Sequence, residues 1–269
     1  VNMPHKGGDA RGESISELSS LVHAQFLSIN NDGLVTKLKK ALDEGKIKGK
    51  DSVMVAETWR DYSNAKKMPD DFVREKALLL TKAHSIWVKA RGQNDFKLFL
   101  PTLTKIIALK QKEARYIGYT DSPYDALIDR YEPGMKTKEA SAILHDLKDF
   151  LIPFLKKIKG SKIKIKSQKA LGNFPVDKQI AFNKFIATKM GFDFEAGRMD
   201  ESAHPFTTSF SSTDVRLTTR YKKNDVMYAV GSTVHETGHG LYEQGLVEEH
   251  YGTPLGEAVS LGIHESQSR

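Results

Sequence analysis

No cysteine occurs among the 269 residues. Disulfides and thiolate-bound metals are thereby excluded, and a chain without thiols suits the cytoplasm. Long apolar runs are missing as well. Nothing approaches the ~20 consecutive apolar residues that a membrane-spanning helix requires, which argues against an integral membrane protein. The opening residues, Val1-Asn2-Met3-Pro4-His5, lack the charged-then-apolar pattern of a secretion signal. Repeats are absent too, and no linker is long or polar enough to mark a domain boundary. The expectation is one mainly helical domain over 1–269, with a helical scaffold in 1–200 and the chemistry-bearing segment in 201–269. The chain does not begin with Met, and its last segment reads as a helix still running at Arg269. Without a Gly or Pro stop signal there, a fragment incomplete at both ends is expected.

Acidic residues are in deficit: 34 Asp and Glu against 41 Lys and Arg give a net charge of +7. Much of the excess sits in 156–169, where seven lysines fall within fourteen residues. A basic stretch can grip phosphates. Here no aromatic residue is interleaved and no nucleic-acid motif accompanies it, so the stretch reads as a solvated connector between helices. Nucleic acid is not expected as a partner.

What is present is helical periodicity. In 14–27, Ile15, Leu18, Leu21, Val22 and Leu27 fall near one face. Further apolar-periodic segments run over about 51–67, 69–90, 96–116, 137–159 and 176–190. Pro69-Asp70-Asp71 supplies a first-turn proline with acids at the positive helix end. Gly33, Gly92, Gly118, Gly160 and Gly191 punctuate between segments. The pattern changes over 207–221, where β-branched and aromatic residues replace helix formers, predicting a hairpin or two short strands. Helical signals return at Asp225, an N-cap, and run to Gly245. A last helix is expected to start with Thr253 as cap and Pro254 in its first turn.

The sharpest motif is His235-Glu236-Thr237-Gly238-His239. Histidines four apart on a helix project from one face, one turn above the other, so both imidazoles can reach one metal. Glu236 lies beside that face, where it can take a proton from metal-activated water. Composition alone gives H-E-x-x-H a chance expectation of about 0.02 in this chain. The flanking Val226, Val230, Val234 and Leu241 form an apolar stripe, so the helix is packed rather than free at the surface. Catalytic zinc usually takes three protein ligands and keeps one position open. A metzincin would require Gly at 242 and His at 245, but the chain has Tyr242 and Gly245. Glu257, Glu265 and His264 are the downstream candidates. On the expected last helix, 257, 261, 264, 265 and 268 share a face, and spacing does not choose among them.

Along its whole length the chain resembles the carboxypeptidase Taq family. Met3-Pro4 with Gly7-Gly8 and Arg11 resembles that family's early segment. Asp121-Ser122-Pro123-Tyr124-Asp125-Ala126-Leu127 and Tyr131-Glu132-Pro133-Gly134 resemble its mid-chain signature. His204-Pro205-Phe206, Asp214-Val215-Arg216-Leu217-Thr218-Thr219, the His235 motif and His264-Glu265-Ser266-Gln267 follow in family order. The resemblance implies a mainly α, gluzincin-like metallopeptidase with a small β hairpin or sheet beside the zinc-binding helix. It implies Glu265 as third zinc ligand beside His235 and His239, with Glu257 left in a supporting role. Glu236 is then the catalytic base of a zinc-dependent carboxypeptidase acting on peptides with a free C-terminus. Cobalt suits the same ligands.

His204, Asp214, Arg216 and His264 become candidates for substrate contact or for support of the ligands; for Asp214 and Arg216 a structural ion pair is the competing reading. His23, His84 and His145 lie on helices without a partner motif and read as ordinary histidines. Family members are commonly homodimers, so the resemblance implies that assembly also. Two further family motifs, I-R-x-x-A-D and G-x-x-Q-D-x-H-W, do not occur in this chain. The competing functions are an endopeptidase or aminopeptidase with the same zinc site, or a helical binding protein that retains the histidines without catalysis.

Overall fold

The computed structural model describes residues 7–163 and 172–269. Met3 and Pro4 of the early motif, and 164–169 of the basic stretch, lie outside the described residues. The chain divides into two compact units, Val1–Arg130 and Tyr131–Arg269.

The first unit is helical: α1 (Gly8–Ser28), α2 (Leu34–Asp43), α3 (Lys50–Lys66), α4 (Asp70–Gln93), α5 (Phe96–Ile117) and the short α6 (Pro123–Ile128). Local signals account for several boundaries. Asp95 caps α5 by accepting from the Leu98 amide, and Ser122 caps α6 with Pro123 in the first turn. Asn94 closes α4 in the left-handed conformation, which asparagine adopts more readily than most residues. α1 packs along α4, with Gly12 set against Leu78. α2 and α6 are helices that the periodicity reading did not anticipate.

Among the described residues this unit carries one fully buried carboxylate, Glu113. It accepts from Lys76 (2.5 Å), Lys110 (2.8 Å) and Arg130 (2.6 Å). Burial pushes its carboxyl up, but the hydrogen bonds from Lys110 and Lys76 outweigh this and hold it below the ordinary carboxylate range. Burial pushes Lys76 down, against the bond from Glu113. The two shifts favour opposite states of the pair. With three cationic groups on one carboxylate, an ionised Glu113 is the direction that the geometry supports.

The second unit opens with α7 (Thr137–Lys159), an amphipathic helix with no buried residue, and α8 (Val176–Met190). A three-stranded sheet follows, ordered β1-β3-β2: β1 (Gly197–Glu201), β2 (Thr207–Ser211) and β3 (Asp214–Thr219). β2 and β3 form the expected antiparallel hairpin, with Thr207 opposite Leu217 and an irregularity between Ser209 and Ser211. β1 pairs parallel to β3, with Gly197 opposite Val215. β1 was not anticipated within the helical scaffold expected over 1–200; its charged segment Gly-Arg-Met-Asp-Glu pairs along the edge that β3 offers.

Val215 and Leu217 point from β3 into a core with Ala187 of α8 and Phe192, joined by Phe194, Met199 and Leu241. α9 (Val226–Gln244) lies on that face, capped as expected by Asp225, which accepts from the Tyr228 amide at 3.2 Å. The approach is close. A Cβ on Gly240 would sit 2.8 Å from both Leu217 Cδ2 and Phe192 Cε2.

The last helix departs from expectation. Thr253-Pro254 starts only a 3-10 turn, Pro254–Gly256, and the chain is extended at Glu257. α10 (Leu261–Gln267) begins seven residues after Pro254, capped by Ser260, which accepts from Ile263 N at 3.2 Å, and it closes at Gln267 instead of running through Arg269. Glu257 therefore shares no helical face with residues 261, 264, 265 and 268. Among the described residues no helix is long and apolar enough to cross a membrane.

Candidate metal centre

The site is built where α10 crosses α9, and Gly238 is the reason that the two helices can touch. A Cβ there would lie 2.1 Å from the Gln267 carbonyl oxygen and 2.6 Å from Ser268 Cα. No side chain larger than hydrogen fits, so α10 rests directly on the α9 backbone within the H-E-x-x-H motif. α10 is tied at its other end to residues far away in sequence. The Leu261 amide donates to the Tyr131 carbonyl (2.7 Å) and the Gly262 amide to the Glu132 carboxylate (2.9 Å). The Tyr-Glu-Pro-Gly motif, which carried no assigned role in the sequence, is thus the clasp that sets α10 in place.

With α10 so held, ligand atoms of His235, His239 and Glu265 lie within 4.8 Å of one another. Glu265 Oε2 is 4.0 Å from His235 Nε2 and 3.8 Å from His239 Nε2. The two imidazoles stand edge to face, 4.8 Å between centroids. His239 is largely buried, whereas His235 and Glu265 are each about half open to solvent. Burial, and after it the neighbouring His264, push the His239 pKa down. The neutral imidazole that results is the form that binds a metal. Two imidazoles and one carboxylate, converging with an open side, form a donor set that fits a divalent ion with a free coordination position.

Glu236 is buried beside this trio. Thr207 at the start of β2 donates its hydroxyl to Glu236 Oε2 (2.7 Å) and approaches the Glu236 backbone carbonyl (3.0 Å). A carboxylate held this way has its orientation fixed from the sheet rather than from its own helix.

His264 turns its ring away from the trio's centre. Its Nδ1 lies 2.6 Å from His239 Nδ1 and its Nε2 lies 2.7 Å from Glu243 Oε1, with the Tyr242 ring edge-on to it at 5.0 Å. Ser209 donates to the other Glu243 oxygen at 2.6 Å. Glu257 is exposed, lines a cavity of about 570 Å³ next to Glu243, and is not among the converging ligands.

Asp214 and Arg216 form a two-bond ion pair, 2.8 Å for each bond. They alternate along β3 with the buried Val215 and Leu217, so they face away from α9. Arg216 also lies over the Phe210 ring, 4.8 Å from its centroid. His204 is exposed, with Nδ1 2.6 Å from the Pro205 carbonyl. The structure does not bring these three to the metal ligands. Thr207, Ser209, Glu243 and Glu132 do contact the site, and sequence reasoning missed them. Glu132 lay within a quoted motif, and Thr207 and Ser209 lay within the 207–221 β stretch, but none of the four was assigned a role.

Comparison with known proteins concerns the chain as a whole. A family model described as carboxypeptidase Taq (M32) metallopeptidase matches residues 1–269. Carboxypeptidase 1 of Bacillus subtilis (strain 168) is 37% identical over 265 residues, which are 98% of this chain and 52% of that protein. Thermostable carboxypeptidase 1 of Pyrococcus furiosus is 39% identical over 277 residues, 100% of this chain and 54% of that one. The BsuCP crystal structure superposes with a TM-score of 0.93 at 35% identity, covering 100% of this chain and 54% of its own. The chain therefore spans about half the length of the curated relatives it matches.

Proposed function

The chain belongs to the carboxypeptidase Taq (M32) family of metallopeptidases, and on that premise we propose that it carries the metal-binding and proton-transfer residues of a zinc-dependent metallocarboxypeptidase. One observation supports this above the others: ligand atoms of His235 and His239, on the helix that also bears Glu236, lie within 4.8 Å of one another and of Glu265 on α10. A zinc ion at these ligands would acidify a water and polarise the scissile carbonyl.

The protein's own groups do the rest. His235 and His239 present imidazole nitrogens and Glu265 the single carboxylate, so a divalent ion held there would keep net positive charge. Glu236, its Oε2 bonded to Thr207, takes the water's proton and delivers it to the leaving amine. The His235 side is half open, which leaves a route for an extended peptide. Peptides ending in a free carboxylate are the substrates we propose, because the relatives are named carboxypeptidases.

The test is metal analysis and peptide hydrolysis by wild type, Glu265→Gln and Glu257→Gln in the full-length protein. Loss of zinc in Glu265→Gln, retention in Glu257→Gln, and cleavage of a free but not a C-amidated peptide are expected. Zinc lost only from Glu257→Gln would overturn the ligand assignment; cleavage of the amidated peptide would overturn the exopeptidase reading.

A further inference from the structure

The contacts behind His239 form a chain in which each proton's place determines the next. Glu243 Oε2 already accepts from Ser209, and Glu243 Oε1 faces His264 Nε2 at 2.7 Å. A carboxylate can only accept, so His264 carries its hydrogen on Nε2. In neutral imidazole the other nitrogen is then an acceptor, and His264 Nδ1 receives the hydrogen of His239 Nδ1 across 2.6 Å. That leaves His239 Nε2 without a hydrogen, its lone pair directed toward Glu265 Oε2 and the His235 side. The opposite arrangement requires hydrogens on both His264 nitrogens and puts one on His239 Nε2, where it would block a metal.

We propose that Glu243, with Ser209 behind it, is a positioning residue that sets the tautomer and ring orientation of the metal ligand His239 through His264. The chain runs Ser209–Glu243–His264–His239 and joins β2, α9 and α10 at one point. It rests on the metal reading above and deepens it. Glu243 and Ser209 are not among the converging ligands. Their effect reaches the site only through two imidazoles, and partners of this kind tune affinity by about 10–100-fold.

The experiment uses the full chain, metal-free and then titrated with Zn²⁺ against a chromophoric chelator. Multiple-bond ¹H–¹⁵N correlation of the imidazoles reads the tautomers without metal or activity. Wild type is expected to show hydrogen on Nδ1 of His239 and Nε2 of His264. Glu243→Gln, whose amide can donate as well as accept, is expected to mix both tautomers and to bind Zn²⁺ about 10–100-fold more weakly. Ser209→Ala is expected to shift the same signals with a loss of a few fold, and it decides the matter should Glu243→Gln fail to fold.

Wild-type tautomers and affinity in a folded Glu243→Gln, or a lowered melting temperature as the sole change, would overturn the proposal. If wild type itself takes up no Zn²⁺, the metal reading falls, while the tautomers of the metal-free protein still decide this inference.

Discussion

Gly238 and Gln267 stand so close that a methyl group on the first would sit 2.1 Å from the carbonyl oxygen of the second. The metal motif therefore has a requirement at one of its two interior positions that the chemistry of H-E-x-x-H does not impose. Gly238→Ala should raise the intrinsic helix propensity of α9 by about 1 kcal/mol, yet it must displace α10 and carry Glu265 away from the imidazoles. The expected outcome is a folded protein that loses zinc on dialysis. Retention of stoichiometric zinc would show that α10 can shift without moving its ligand.

Thr207 is the donor that orients Glu236 from β2. Thr207→Val keeps shape and strand preference and removes only the hydroxyl. A hydrogen bond to a charged acceptor contributes about 1.5–3 kcal/mol, so kcat on a free-C-terminal peptide should fall about 10–100-fold in the full-length protein. KM and zinc content should stay near wild type. Steady-state kinetics with metal analysis checks this, and an unchanged kcat would remove Thr207 from the proton-transfer step.

Glu132 holds the start of α10 by accepting from the Gly262 amide. Glu132→Ala leaves that amide without its acceptor, at a cost of about 1–3 kcal/mol, and loosens the element that carries Glu265. Weaker zinc binding together with a lower melting temperature is expected, measured by chelator competition and calorimetry.

Glu113 predicts a pH dependence in the first unit. Its folded-state pKa is depressed by Lys110 and Lys76 despite burial. A depressed carboxyl adds stability that is present above its unfolded pKa, about 4.3, and is lost as pH falls through the folded value. Denaturant midpoints should therefore decline below about pH 4 in wild type. Glu113→Gln, which leaves three partly solvated cations without their partner, should be less stable at pH 7 by about 2–3 kcal/mol and should lack that part of the decline. Parallel wild-type and variant curves across this range would contradict the ionised buried carboxylate.

The parts of this structure legible in the sequence are those specified locally. Asp225 announced α9, and the β-branched stretch after Thr207 announced the hairpin. β1 was illegible because Gly197–Glu201 has no strand preference of its own and pairs only where β3 offers an edge. The start of the last helix was misread because Thr253-Pro254 is a good local signal that tertiary contact curtails. Gly256 is pressed against the His250 carbonyl, and a Cβ there would lie 2.3 Å from its oxygen. The H-E-x-x-H pair was legible because both histidines share one helix. The residues behind it were not, since Ser209 meets Glu243 across 34 positions and Glu132 meets Gly262 across 130.

α10 is thus anchored twice, at its start by a residue 130 positions upstream and along its body by contact with the α9 backbone. An ion shared by His239 and Glu265 would be a third tether, closing a 26-residue loop whose entropic cost is about 3 kcal/mol. All three act on the same seven-residue segment, so they are thermodynamically coupled: whatever strengthens the grip of Glu132 preassembles the ligands, and an ion bound there tightens Glu132 in return. Affinity for metal can then be adjusted by substitutions in the loop after α6 without altering any group that reaches the ion.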